Sequence, residues 1–148
     1  MDTTFLNAFQ EFEALGRAAV IADLQARGGF TDFRPTTDPY APVDLFCQSP
    51  AGPVALEIKM RTGLYSSGQL LEEPKLQALL ATLTAGEAKW AYYANVVAGQ
   101  VWYWRIDQRV LSLPCHTRAL PGTTASPSAL RQKQYRLLPL DWAIPPRP

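Results

Sequence analysis

Asp44, Glu57 and Lys59 set two acids and a lysine on neighbouring segments of the chain. The run Pro42-Val43-Asp44-Leu45-Phe46-Cys47 reads as a strand, Ser49-Pro50-Ala51-Gly52-Pro53 as a turn, and Val54-Ala55-Leu56-Glu57-Ile58-Lys59-Met60 as a returning strand. Strand side chains alternate with period two, so Glu57 and Lys59 share one face and Leu56, Ile58 and Met60 take the other. Two carboxylates on such a hairpin can meet one cation. Mg²⁺ takes oxygen ligands and often uses only one or two carboxylates, and a lysine beside them can hold or polarise an attacking water. The competing reading is an ordinary surface ion pair on a solvated hairpin. Against it, the segment from Val54 to Met60 is apolar on both sides of Glu57 and has the composition of an interior strand. Charges in such a strand cost several kcal/mol unless paired or metal-bound.

The elements around the hairpin follow from periodicity and punctuation. A helix is expected from residue 4 to about 27, capped by Thr3 or Thr4 and stopped by Gly28-Gly29. At 100° per residue its core stripe is Phe5, Phe9, Phe12, Gly16, Ala19 and Val20; Glu13 lies at the border of that stripe and Glu11 well away from it. A short strand over 29–34 and a proline-shaped loop over 35–42 then lead to Asp44. After the Glu57 strand, residues 60–68 read as a polar loop in which Arg61, Ser66 and Ser67 could meet phosphates. A second helix is expected over about 69–83, with Leu76, Leu79, Leu80 and Leu83 inward, Pro74 in its first turn, and Lys75 and Gln77 near its start. Two aromatic strands follow over 89–97 and 101–106, their rings read as core and cross-strand pairs in preference to a stacking platform for bases. Beyond Asp107 the pattern weakens: residues 111–114 suggest an edge strand, and 118–130 read as a Pro/Gly/Ser/Thr loop.

An Asp at the end of one strand, Glu-x-Lys on the next and a helix on either side resemble the PD-(D/E)xK, or restriction-endonuclease-like, nuclease superfamily. The motif reads Pro42-Val43-Asp44 and then Glu57-Ile58-Lys59, with Val43 splitting the usual Pro-Asp pair. The resemblance spans about residues 5 to 107 and is nearest to small, Holliday-junction-resolvase-like members. It implies an α/β fold with a mixed β-sheet flanked by helices in αβββαβ order. It also implies that Asp44, Glu57 and the Ile58 backbone carbonyl bind Mg²⁺ or Mn²⁺, that Lys59 assists the water, and that Glu13 on the first helix reaches the metal site. Lys75 and Gln77 become accessory candidates, since such proteins often place a polar residue on the second helix. The implied activity is metal-dependent endonuclease cleavage of DNA; the alternative is a non-catalytic nucleic-acid-binding or assembly subunit of the same fold.

The chain has 148 residues and a net charge of +1, which suits a single domain over 1–148 with a basic, proline-rich extension from about 108. Residues 1–100 carry seven Lys/Arg against eleven Asp/Glu, and residues 101–148 seven against two. The basic last third makes Arg131, Lys133 and Arg136 candidates for phosphate contacts beside Arg61. No apolar run approaches the roughly 20 residues of a membrane span, and no leader pattern opens the chain, so a soluble, cytoplasmic protein with no membrane partner is expected. Two cysteines and one histidine suit neither a disulfide scaffold, nor a zinc site, nor a hydrolase triad. One site cuts one strand, so a homodimer through the strands from Trp90 to Trp104 or through Trp142, or else a partner protein, is expected for double-strand cleavage.

Overall fold

The computed structural model describes residues 3–36, 41–123 and 126–148. Helix α1 (Thr3–Arg27) leads to β1 (Thr31–Pro35), β2 (Leu45–Ser49) and β3 (Gly52–Arg61); β4 (Gln69–Glu72) and α2 (Glu73–Thr84) precede β5 (Trp90–Val97) and β6 (Gln100–Arg105). A 3₁₀ turn (Gln108–Ser112), β7 (His116–Thr123), β8 (Ser126–Leu138) and a second 3₁₀ turn (Leu140–Trp142) complete the chain. The main sheet has the order β1-β2-β3-β5-β6, in which β3 and β5 run parallel and the other neighbours antiparallel. The fold is therefore α/β with a mixed sheet. A second, antiparallel sheet has the order β4-β8-β7.

The two helices cover opposite faces of the main sheet, which is why β3 is apolar on both. Toward α1, Leu56 and Ile58 pack with Val20, Leu24, Ala94, Val96 and Tyr103. Toward α2, Ala55 packs with Leu76, Leu79, Tyr93 and Trp104, and Leu71 and Leu138 of the second sheet join this cluster. A parallel β3–β5 pair needs a crossover, and α2 supplies it. Gly28 ends α1 with φ +87°, its N–H donating to the Leu24 carbonyl at 3.1 Å, a termination that a residue with a Cβ disfavours. No described helix is long and apolar enough to cross a membrane.

Several expectations need correction. Phe12 is 43% exposed, whereas Gly16 lies against β3, where a Cβ would lie 3.4 Å from Ile58 and Met60. The side chains of Thr3, Thr4, Phe5 and Phe9, and the loop residues 37–40, lie outside the described ones. Residues 69–72 form β4 instead of a first helical turn, since Pro74 starts α2 at N1/N2 and the preceding segment pairs with β8. Residues 111–114, expected as an edge strand, are the end of a 3₁₀ turn (Gln108–Ser112) and a bend after it. Asp107 caps that turn by accepting from the Arg109 N–H at 2.9 Å. Of the supposed loop over 118–130, residues 118–123 and 126–130 belong to β7 and β8, which pair from His116↔Tyr135 to Thr123↔Ser126; residues 124 and 125 lie outside the described ones. Of the aromatic residues, Tyr93 and Trp104 are buried cross-strand partners with ring centroids 6.4 Å apart. Trp142 packs on the same core and carries the Arg109 guanidinium 4.0 Å over its ring. These rings serve the chain's own interior.

Candidate metal centre

The β2–β3 ladder ends at Leu45↔Leu56, and the site lies where β3 continues without β2. Asp44 sits one residue before β2, held by its own N–H, which donates to the Leu56 carbonyl at 3.1 Å. The incoming loop is tied to it: the Thr36 N–H donates to the Asp44 carbonyl at 3.0 Å and the Thr36 hydroxyl to the Val43 carbonyl at 2.7 Å. Thus fixed, the Asp44 carboxylate takes over the role of the missing strand. Its Oδ2 accepts from the Ile58 N–H at 2.8 Å. In an extended strand a residue's N–H and C=O point to the same edge, so the Ile58 carbonyl also faces the Asp44 side.

Glu57, between those two backbone anchors, projects to the α2 face and is only 5% exposed. Its carboxyl group adjoins that of Asp44, and Lys75, in the first turns of α2, brings its Nζ to 3.6 Å from Glu57 Oε1. Glu57 Oε2 is buried without a partner. Burial, and after it the charge of Asp44 and a hydrogen bond shared with it, push the Glu57 carboxyl well above the usual carboxylate range, with Lys75 and Lys59 opposing. Half-buried Glu13 shares the same field: burial and then Asp44 raise its carboxyl, while Lys59, Arg17 and Lys75 pull the other way. Glu13 and Lys59 also line a shallow hollow with Gly16, Ile58 and Met60.

Asp44, Glu57, Lys59, Glu13 and Lys75 are thus brought together. Among the described residues no three His, Cys, Asp or Glu side chains form a closed metal cage. What is present is a pair of adjoining carboxyls, one of them with a partnerless buried oxygen, beside a backbone carbonyl. That donor set fits a hard cation satisfied by few protein oxygens plus water or phosphate.

The other expected residues are deployed elsewhere. Gln77 donates to Glu73 Oε1 at 3.0 Å on the exposed side of α2. Arg136 is a clamp: it grips Glu73 through Nε at 2.9 Å and Nη2 at 3.0 Å, and its Nη1 donates to the Leu111 and Leu113 carbonyls. With its side chain 12% exposed, it holds the 3₁₀ turn to α2 and is not free for a phosphate. Lys133 pairs with Glu72 Oε1 at 3.0 Å, and Arg131 is exposed on β8. Arg61 Nη2 donates to the Leu70 carbonyl at 2.8 Å and to the Tyr93 hydroxyl at 2.9 Å, joining the two sheets. Beside it the buried Gln69 donates to Asn95 Oδ1 at 2.8 Å. Sequence reasoning passed over both of these polar residues, as well as Tyr65 and Arg118, because only pairing across the sheets gives them a place. No family model, curated protein or solved structure matches the chain.

Proposed function

We propose that the chain is a metal-dependent nuclease of restriction-endonuclease-like fold that hydrolyses phosphodiester bonds in DNA. The carrying observation is Glu57: an acid 5% exposed, adjoining Asp44, with Oε2 unpartnered at the edge where β3 outruns β2. Asp44, Glu57 and the Ile58 carbonyl would hold Mg²⁺ or Mn²⁺, and the Ile58 N–H keeps Asp44 in place for that role. Such an ion would supply Lewis-acid polarisation of the phosphoryl group and a lowered pKa of bound water. Lys59, one turn of the pleat beyond Glu57, presents an ammonium to the attacking water and to the charge that develops on the phosphate. Glu13 orders solvent from the α1 side, and Lys75 offsets the charge of Glu57 when no cation is held.

The Lys75 contact also favours a second reading, a non-catalytic nucleic-acid-binding or assembly subunit, because an ammonium can neutralise Glu57 without metal. It reaches Oε1 only and leaves Oε2 without a partner, which supports the enzyme. The test is cleavage of linear, branched and single-stranded DNA with Mg²⁺ or Mn²⁺, with Asp44→Asn in parallel. Metal-dependent products that disappear in the variant are expected. Failure to cut any of the substrates, with identical DNA binding by both proteins, would leave the binding subunit standing instead.

A further inference from the structure

A groove of about 500 Å³ opens two residues beyond Lys59, lined among others by Arg61, Tyr65, Ser67, Gly68, Arg118 and Tyr135. Lys59 and Arg61 alternate onto the same face of β3, so the groove continues the row that bears the carboxylates. Its floor is cationic. Arg61 is anchored through Nη2 to Leu70 and Tyr93, and its Nε is buried without a partner. One wall is Tyr65, 52% exposed on the β3–β4 connection. The other comes from the second sheet, where exposed Arg118 lies with its guanidinium 5.1 Å from the Tyr135 ring and His116 stacks on that ring at 5.3 Å. The groove is closed tightly at Gly68, which has φ +111° and where a Cβ would come within 2.8 Å of the Leu138 carbonyl.

Arginines interleaved with aromatic faces are the chemistry that holds unpaired nucleic acid, with cations on the backbone and rings or guanidinium planes against the bases. A single inorganic anion would leave most of 500 Å³ empty, and an apolar ligand would desolvate Arg61 without compensation. A duplex, about as broad as its 12 Å major groove and more, cannot enter a hollow of this size. We propose that this groove receives an unpaired segment of the strand cut at Asp44 and Glu57. Its phosphate lies toward Arg61 and its base between Tyr65 and Arg118. The chain accordingly prefers DNA with a single-stranded stretch beside the cut. This rests on the nuclease reading for the cut itself but not for the binding.

The experiment uses the Asp44→Asn protein and fluorescein-labelled oligothymidylate, with anisotropy read in chelator at low salt, against a blunt duplex of equal length. Expected are tighter binding of the oligothymidylate than of the duplex, a loss of about tenfold in each of Tyr65→Ala and Arg118→Ala, and a change below twofold in Lys89→Ala, exposed before β5 beside the Gly52–Pro53 end of β3. Both groove positions are exposed, so circular dichroism should find the variants folded. Absence of oligothymidylate binding, preference for the duplex, or unchanged binding in both groove variants would overturn the groove. If the variants lose the oligonucleotide but the unmutated protein cuts nothing with Mg²⁺ or Mn²⁺, the groove stands and the nuclease reading falls. If the unmutated protein cuts and the groove variants bind and cut as it does, the reverse holds.

Discussion

Replacing Glu57 by Gln tests whether the site is built to hold a cation at the expense of stability. The folded chain keeps the Glu57 proton more tightly than the unfolded chain, because burial and Asp44 raise its carboxyl. Its contribution to stability is therefore full below the ordinary glutamate range and is lost as pH rises toward the raised value. Glutamine carries no titrating charge, keeps the shape, and can give its amide N–H to Asp44. A buried polar atom without a partner costs about 1–3 kcal/mol, and more when charged. Lys75 at 3.6 Å recovers part of that penalty, so a gain of about 2 kcal/mol is expected for Glu57→Gln at neutral pH. For a chain of this length that is about 4–8 °C in Tm. The assay is calorimetry in chelator across pH 4 to 8, then with Mg²⁺. The Tm difference between variant and parent should be near zero at pH 4 and grow with pH. Mg²⁺ should raise the parent's Tm and leave the variant's unchanged, since a ligand stabilises only the fold that binds it. A variant less stable than the parent at pH 8 in chelator would show that the Glu57–Lys75 pair is a net stabilising contact, and the inference of a strained, metal-seeking acid would be wrong.

Asp44→Asn should abolish metal-dependent cleavage while circular dichroism stays native, because the amide oxygen can still accept from the Ile58 N–H; full activity would remove Asp44 from the centre. Lys59→Ala should lower turnover by 10²-fold or more, about 2.7 kcal/mol, with little change in metal affinity by calorimetry; a collapse of affinity instead would make Lys59 structural. Away from the site, Asp23 accepts from Arg27 Nε at 2.8 Å, the Tyr103 hydroxyl at 2.7 Å and Arg147 Nε at 3.0 Å. Burial works to raise its carboxyl, and those hydrogen bonds outweigh it and hold it below the usual range. Asp23→Ala should cost about 3 kcal/mol at pH 7. The penalty should shrink as pH falls below the ordinary aspartate range, since the contribution of a carboxylate with a lowered pKa is lost on protonation. A constant penalty across acid pH would contradict this.

What was readable from sequence was what is local. The helix α1 and its Gly28-Gly29 stop, the hairpin alternation that puts Glu57 and Lys59 on one face, and the two aromatic strands depend on residues within a few positions of each other, and all are present. Glu13 at the border of its stripe also lies within the field of Asp44 and Lys59. The rest was settled by partners far along the chain. Leu70 and Leu71 look helical until β8 pairs with them, and a stretch rich in Pro, Gly, Ser and Thr becomes a ladder once β7 meets β8. Arg136 reads as a phosphate contact until Glu73, 63 residues away, occupies its fork. Phe12 fits the core stripe of α1, yet it is exposed, whereas Gly16 lies against Ile58 and Met60 of β3. Above all, the sequence places an acid at residue 57, but its burial comes from α2, β5 and the second sheet closing over one face of β3. An ion's energy is set by the dielectric and the partners around it, and only the assembled tertiary structure determines those.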